Sequence, residues 1–206
     1  PLSSSAASDV YKRQIVDLDP RGNVATTFGV DKNALGPTMN GLFQAVIDGS
    51  RIDINPFVIP PERLTRWMRK AWKRQFPNRP RGPPVSHKVD SLSLLPADLD
   101  LSGIEIELAM RIGREHRLRI ALEGAMEQFD LIIIDTPASL GLLTVNALTA
   151  ADWLLIPIQA EFYALESMGQ LLDTLRKVQS RVNPSLKLLG ISCLLYTSDA
   201  ADDDRG

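Results

Sequence analysis

Cysteine is almost absent from this 206-residue chain, which has only Cys193. One cysteine near the end supports no argument for a disulfide, a metal site or an iron–sulfur cluster, all of which need further ligands. No apolar run is long enough to span a bilayer as a helix. The formal net charge is −2, so any affinity for a polyanion has to come from a local basic cluster.

The overall composition is that of an ordinary globular protein. Hydrophobic residues make up 44% of the chain and charged residues 23%, values typical of folded domains. The length is sufficient for one α/β domain with a sizeable core. Composition alone therefore indicates a fold of ordinary size and leaves its chemistry to the motifs.

The two ends of the chain are predicted to be non-native. Residues 4–14 have a possible coding sequence whose reverse complement, in a shifted frame, encodes residues 193–202, and that DNA resembles a transposon-type sequencing adapter. We therefore expect residues 1–14 and 193–206 to be adapter-derived tails around a gene fragment, residues 15–192. The alternative is a pair of genuine disordered tails.

Two short apolar runs carry aspartates at their ends and lead into turns that contain proline. The first is residues 15–18, with Asp17 and Asp19, and the second is residues 131–134, followed by Asp135. Such runs are typical of buried parallel strands. Two of them can place carboxylates beside one ligand, and phosphate-bound Mg²⁺ is the obvious candidate.

The rest of the chain alternates between strand and helix patterns. Further strands are predicted at residues 91–95, 153–158 and 186–191, and helices at 24–30, 38–47, 104–129 with an interruption near Gly113, 142–151 and 165–182. This alternation predicts an α/β fold with a doubly wound, mostly parallel sheet and helices on both faces.

A basic segment, residues 60–88, interrupts the alternation. It contains nine Lys and Arg residues with Glu62 as its only acid, and tryptophans are interleaved among them. Two interpretations stay open. The segment is a DNA-contacting or partner-binding arm, because clustered cations and aromatics suit phosphate contact and stacking, or it is a solvated, partly disordered insertion loop with one group of residues at helical spacing.

Four blocks of the sequence resemble the ParA/Soj family of plasmid and chromosome partitioning ATPases, and they stand in that family's order. They are residues 17–23 (Asp-Leu-Asp-Pro-Arg-Gly-Asn), 94–103, 134–148 and 156–166. Arg21 replaces the family's usual glutamine, and Ala138 replaces a commoner proline.

The resemblance implies a P-loop NTPase-type domain of the MinD/ParA group, with a deviant Walker A motif. In this chain we expect the N-terminal P-loop strand and helix to be missing, with the phosphate-binding lysine motif encoded upstream of Ile15. ATP and Mg²⁺ are the cofactors that the resemblance implies.

Roles for individual residues follow from the same resemblance. Asp135 matches the Walker B carboxylate that positions Mg²⁺ through water, and Asp19 matches the catalytic aspartate that activates the attacking water. Asp17 is a second candidate metal ligand, although a buried structural carboxylate fits it nearly as well. Asp135 and Asp19 have plainer alternatives too, as a helix cap or turn residue and as the first residue of an Asp-Pro turn.

Four residues are predicted to contact the nucleotide. Gly22 and Asn23 can adopt the positive-φ conformations that a tight loop requires. Thr136 and Pro137 belong to the segment after the Walker B strand, which in the family responds to the γ-phosphate. These four residues complete the predicted site.

For the whole protein, the resemblance implies a homodimer that forms on ATP binding and binds DNA nonspecifically. A centromere-binding ParB-type protein would stimulate hydrolysis, the location would be cytoplasmic and nucleoid-associated, and no membrane partner is expected. A MinD-like membrane-cycling or other positioning ATPase, and a nucleotide-independent binding protein, are the alternatives. The 206-residue chain itself, without the phosphate loop, is expected to bind ATP poorly and to show no significant hydrolysis.

Overall fold

Parallel strand pairing organises both units into which the chain divides, Pro1–Ala147 and Leu148–Gly206. The computed structural model describes residues 11–50, 52–78, 89, 91–159 and 164–194.

The first unit is built on a three-stranded parallel sheet. Strand β1 (Arg13–Asp17) lies in the centre, between β2 (Leu92–Leu95) and β3 (Leu131–Asp135). The helices of this unit are α1 (Asn23–Thr27), α2 (Met39–Ile47), α3 (Pro61–Gln75), α4 (Leu101–Ala109) and α5 (Arg117–Met126).

The second unit is a βαβ arrangement. Strand β4 (Trp153–Gln159) leads through α7 (Ala164–Arg181) to β5 (Lys187–Leu194), which pairs with β4 in parallel. Helix α6 (Leu142–Ala150) precedes β4 and spans the boundary between the units. The buried Asn183 amide donates to the carbonyl oxygens of the residues at the end of α6, namely Leu148, Thr149 and Ala151, at 2.8–3.2 Å. This asparagine ties the turn before β5 to the start of the unit.

The α/β fold with a mostly parallel sheet is confirmed. Every pairing between the described strands is parallel, and strands alternate with helices along the chain. The interruption predicted near Gly113 is present as well. Gly113 has a φ of 65° and separates α4 from α5, because a left-handed residue cannot continue a right-handed helix. None of the helices in the described part of the chain is long and apolar enough to cross a bilayer.

Strand β1 extends back into the predicted non-native tail. The pattern assigns residues 15–18 to the end of a strand, and in the structure that strand runs from Arg13 to Asp17 and pairs Gln14 with Ser93 and Ile132. Two residues of the predicted adapter-derived tail are therefore part of the central strand. Gln14 is fully buried there, and its amide nitrogen and oxygen have no hydrogen-bond partner among the described residues.

The prediction that the apolar run at residues 131–134 forms a buried strand is wrong for its burial: Ile132 and Ile134 on one face are only partly buried, and the other face is exposed. Leu131 and Ile133 are 49% and 50% exposed. The physical reason is that a strand face is buried only where a helix packs on it, so the apolar composition of β3 does not by itself secure burial.

The first half of the basic segment, residues 60–88, is helical, although the segment was predicted as an insertion loop. Residues 79–88 lie outside the described part, and Pro61–Gln75 form α3. Proline at the first position suits a helix start. Leu64, fully buried, packs in a core cluster with partly buried Trp67 and Met68 beside it. These apolar residues at helical spacing explain why the segment folds as a helix on the core.

Helix α3 also packs closely against the chain that follows α1. Gly29 has a φ of 67°, and a β-carbon built on it would collide with the Cβ atom of Ala71 in α3. Ala25 of α1 belongs to the same core cluster as Leu64. The packing of α3 therefore requires glycine at position 29, in addition to the burial of apolar side chains such as Leu64.

We predict that replacing Gln14 by leucine stabilises the protein. An unsatisfied buried polar side chain costs about 1–3 kcal/mol, and leucine is of similar size. Urea unfolding of Gln14→Leu should show a rise in the free energy of unfolding within that range. The control is Gln75→Leu at the exposed end of α3, for which we expect a change within about 0.5 kcal/mol. A loss of stability in Gln14→Leu would show that the buried amide has a partner.

Candidate functional site

The register of the sheet brings two aspartates side by side. Asp17 ends β1, Asp135 ends β3, and the two residues are direct partners across the parallel pair. The backbone N–H of Leu18 donates to the carbonyl oxygen of Asp135 at 2.9 Å, so the pairing continues one residue past the strand. The carboxyl ends of adjacent parallel strands are where α/β proteins place ligands.

Asp17 is the most enclosed carboxylate of this group. It is fully buried, and its Oδ1 accepts the backbone N–H of Asp19 at 3.0 Å. Its Oδ2 is buried without a hydrogen-bond partner in the described residues. Burial, with a smaller contribution from the negative charge of Asp135, raises the pKa of Asp17 to about 6. The structure thus shows Asp17 supporting the next turn while keeping one oxygen unsatisfied.

Asp19 is held by the arginine two residues later. The Arg21 guanidinium donates through Nε at 2.9 Å and through Nη2 at 2.6 Å to Oδ2 of Asp19, and the backbone N–H of Arg21 donates to Oδ1 at 3.0 Å. Hydrogen bonding by the Arg21 side chain lowers the pKa of Asp19. The sequence did not predict this forked ion pair, although Arg21 stood out as the departure from the family motif.

The loop after Asp19 closes on left-handed Gly22. Gly22 has a φ of 61° and donates its N–H to the carbonyl oxygen of Asp19 at 2.8 Å. A β-carbon at this position would lie 3.1 Å from the carbonyl oxygen of Ala97, so both conformation and space favour glycine. Lys32 Nζ donates to the carbonyl oxygen of Arg21 at 2.6 Å. The loop is therefore held by the backbone hydrogen bond from Gly22 to Asp19 and by the Lys32 side chain, which binds the carbonyl oxygen of Arg21.

Asn23 does not share the left-handed conformation expected of it. It is the first residue of α1, and among the described residues only glycines have a positive φ. The turn needs one left-handed residue, and Gly22 supplies it. Asn23 remains next to the loop, at the start of the helix.

Asp135 differs from the other two carboxylates in being exposed. Partial desolvation of its carboxyl, followed by the negative charge of Asp19, raises its pKa. Thr136, also exposed, and partly buried Pro137 follow it directly. The structure thus places the predicted segment after the Walker B strand beside Asp135, open to solvent.

Glu105 is a neighbour of this segment that was not among the residues predicted from the sequence. Its Oε1 in α4 accepts the backbone N–H of Leu143 in the first turn of α6 at 3.2 Å. A β-carbon on Gly141 would collide with the same carboxylate oxygen. The glycine therefore makes room for a carboxylate that caps α6 from another helix. Gly141 before an apolar helix was the only sequence signal for this contact.

A magnesium ion fits this arrangement only with water or phosphate as additional ligands. Within the described residues, no three or more His, Cys, Asp and Glu side chains are grouped so that they could hold a metal ion by themselves. Mg²⁺ in nucleotide sites commonly uses one or two carboxylates together with waters and phosphate oxygens. Exposed Asp135 meets that requirement, and the unsatisfied Oδ2 of Asp17 is the second available oxygen. Asp19 is occupied by Arg21.

We predict that Asp17→Asn removes part of the pH dependence of stability. Between the ordinary aspartate pKa and about 6, the unfolded chain loses this proton before the folded protein does, so ionisation of Asp17 destabilises the fold as pH rises. At pH 7.5 the variant should be more stable than wild type by up to about 3 kcal/mol, and near pH 4 the difference should shrink. Urea unfolding at both pH values measures this.

Asp48→Asn is the control for this experiment, because Asp48 is exposed at the end of α2. We expect it to shift stability by less than about 0.5 kcal/mol at either pH. If Asp17→Asn destabilises the protein equally at pH 4 and pH 7.5, stability does not depend on the ionisation of Asp17 in this range and the prediction is wrong.

We also predict that Arg21→Gln raises the pKa of Asp19. The glutamine cannot supply the charge-assisted fork, so the carboxylate loses its main stabilising partner. Carbon-13 NMR titration of the aspartate carboxyl groups measures the shift. Arg176→Gln, which removes the exposed ion pair to Asp173, should leave the pKa of Asp19 unchanged. An unaltered Asp19 titration in Arg21→Gln would contradict the role assigned to the ion pair.

Comparison with known proteins gives consistent relatives for this chain. A family model described as AAA domain matches residues 78–188, more than half of the chain. The sporulation initiation inhibitor protein Soj of Bacillus subtilis is 38% identical over 186 residues, which cover 90% of this chain and 60% of that protein. The chromosome partitioning protein ParA of Myxococcus xanthus is 36% identical over 199 residues, covering 97% of this chain and 59% of that protein. The chain thus spans about three fifths of the length of these curated relatives.

Among solved structures, cobyrinic acid a,c-diamide synthase from Mycobacterium smegmatis is similar, with 34% sequence identity and a TM-score of 0.69. The match covers 92% of this chain and 64% of that protein. The same protein has been solved with ADP and magnesium and with an ATP analogue and magnesium. The structural likeness supports an NTPase-type α/β fold.

Proposed function

This chain belongs to the ParA/Soj family of partitioning ATPases, and from that membership we propose that it is part of an ATP-dependent DNA partitioning protein. The whole protein hydrolyses ATP in the presence of Mg²⁺ and uses the cycle to segregate plasmid or chromosomal DNA. The observation that carries this proposal is the register of β1 and β3, which sets Asp17 beside Asp135 with Asp19 in the loop that follows.

Each carboxylate has a distinct task in this proposal. Exposed Asp135 holds Mg²⁺ through water, as its position at the end of β3 allows. Asp19 orients the attacking water and accepts its proton. Asp17 acts mainly through the backbone of Asp19, because one of its oxygens is already committed there. Bound Mg²⁺–ATP supplies the phosphoryl group and the cation that offsets its charge.

The loops on either side would line the nucleotide. Gly22 and Asn23 offer backbone groups where the chain turns from β1 into α1, and Thr136 and Pro137 follow Asp135. The Arg21 guanidinium has to release Asp19 before that carboxylate can orient water, since Nε donates to Oδ1 and Nη2 donates to Oδ2. A guanidinium freed in this way is available to phosphate oxygens.

The partners of the whole protein are likewise proposed from its family membership. We expect the whole protein to form a homodimer when it binds ATP and to bind DNA nonspecifically. A ParB-type centromere-binding protein would stimulate its ATP hydrolysis, and the protein would be cytoplasmic and associated with the nucleoid. The name of the Myxococcus xanthus relative, chromosome partitioning protein ParA, supports the partitioning role. A MinD-like positioning ATPase is the alternative that keeps the same site.

The test is ATP turnover by the whole protein that carries this chain together with a lysine-containing phosphate loop. Asp19→Ala and Asp135→Asn should each lower kcat by about 100-fold or more, and Asp48→Asn, an exposed control, should not. Phosphate release with Mg²⁺–ATP measures this. Full activity of Asp19→Ala would overturn its catalytic role, and Asp135-dependent turnover by the 206-residue chain alone would contradict its expected inactivity.

The synthase name of the Mycobacterium smegmatis structure offers a second candidate function, because that protein has been solved with an ATP analogue and magnesium. DNA separates the two functions. A partitioning ATPase should hydrolyse ATP faster when duplex DNA and its partner protein are added. A turnover that responds only to cobyrinic acid would favour a synthase.

A further inference from the structure

Helix α3 presents a basic surface that the nucleotide site does not use. Its outward face carries five exposed cations and one exposed acid, Glu62. The five, called here the α3 basic face, are Arg66, Arg69, Lys70, Lys73 and Arg74. The opposite face packs into the core through Leu64 with Trp67 and Met68. The orientation of the basic face is therefore fixed by burial on the other side.

The charges of the α3 basic face are not neutralised within the described part of the protein. The two salt bridges found there join Arg21 to Asp19 and Arg176 to Asp173, and neither involves α3. Arg63 on the same helix is different, since it donates to the carbonyl oxygen of Ala34 at 2.9 Å and lies 4.6 Å over the Trp67 ring. Arg63 holds the helix in place, whereas the five cations face solvent.

This spacing is unfavourable for the helix by itself. Residues three and four positions apart are neighbours on a helix surface, and like charges there destabilise it. The α3 basic face contains such pairs at Arg66 and Lys70, at Arg69 and Lys73, and at Lys70 and Arg74. A polyanion that lies along the helix removes this repulsion. Fifteen residues give a length of about 22 Å, which spans several successive phosphates of a nucleic-acid duplex.

From these observations we propose that the α3 basic face binds the phosphate backbone of duplex DNA without sequence preference. The proposal rests on the function proposed above in that it names a surface by which this chain would contact DNA. Arg and Lys side chains contacting phosphates position a protein on DNA but do not read bases. Tryptophan stacking plays no part, because Trp67 and Trp72 are partly buried in the fold.

A lipid surface fits the same helix less well. Amphipathic helices that lie in a membrane interface insert their apolar face between lipids. In α3 that face is already packed against Ile59, Leu94 and other residues of the core cluster. Binding to a membrane would have to rely on charge alone or undo this packing. Duplex DNA requires only the exposed cations.

The experiment compares two triple variants of the full 206-residue chain. Arg66→Gln/Arg69→Gln/Lys73→Gln removes three cations of the α3 basic face, and Arg111→Gln/Arg119→Gln/Lys177→Gln removes three exposed cations elsewhere. Fluorescence anisotropy with a labelled 30-bp duplex of mixed sequence, between 50 and 200 mM salt, gives Kd and its salt dependence. Circular dichroism and urea unfolding confirm that both variants are folded.

We expect the α3 variant to bind the duplex at least about 10-fold more weakly at 100 mM salt and to lose about 2–3 from the slope of log K against log salt concentration. The control variant should stay close to wild type. Equal binding by wild type and the α3 variant would overturn the proposal, and so would an equal loss in both variants. Absence of duplex binding by the wild-type chain would overturn it as well.

Two further comparisons distinguish duplex DNA from a lipid surface as the ligand, and failure of this proposal from failure of the proposed function. Vesicles of anionic phospholipid should bind the chain more weakly than the duplex, and tighter binding to vesicles would overturn the proposal. If the α3 variant loses duplex binding while the whole protein shows no ATP turnover, the α3 basic face is supported as a DNA-binding surface and the proposed function is refuted. If the whole protein hydrolyses ATP but the α3 variant binds the duplex as tightly as wild type, the proposed DNA-binding surface is refuted and the proposed function is not.

Discussion

The parallel pairing of β1 with β3 is the constraint on which the candidate site depends. Its register sets Asp17 opposite Asp135, and one further hydrogen bond, from Leu18 to the Asp135 carbonyl, carries the alignment into the loop. A shift of one residue would turn these side chains to the other face of the sheet. The site is thus a property of strand register first and of the individual side chains second.

Within that frame, the three aspartates differ because their surroundings differ. Asp17 is buried with a raised pKa, Asp19 is paired with a cation that lowers its pKa, and Asp135 is exposed. Carboxylates of one chemical type thus acquire separate properties from solvent exposure and neighbouring charge. This separation is what a nucleotide site needs if one carboxylate is to hold a cation and another is to handle a proton.

The sequence predicted the fold well because its strongest signals are local. Apolar runs that end in Asp17 and Asp135, and the glycine at 113, gave the strands and the helix break with few errors. It failed where the outcome depends on distant neighbours. The exposure of Leu131 depends on which elements pack on its face of the sheet, and the helix at 61–75 depends on a docking surface formed by other elements. The fork between Arg21 and Asp19 required side-chain geometry that a motif does not contain.

The close approach of Gly29 to Ala71 gives one position two separate reasons to be glycine. Its left-handed backbone conformation disfavours a side chain whether or not α3 packs against it. A Cβ atom at position 29 would also collide with Ala71 of α3. A substitution there would therefore strain the loop after α1 and push the helix that carries the basic surface away from the core in a single step, although the two segments are far apart along the chain.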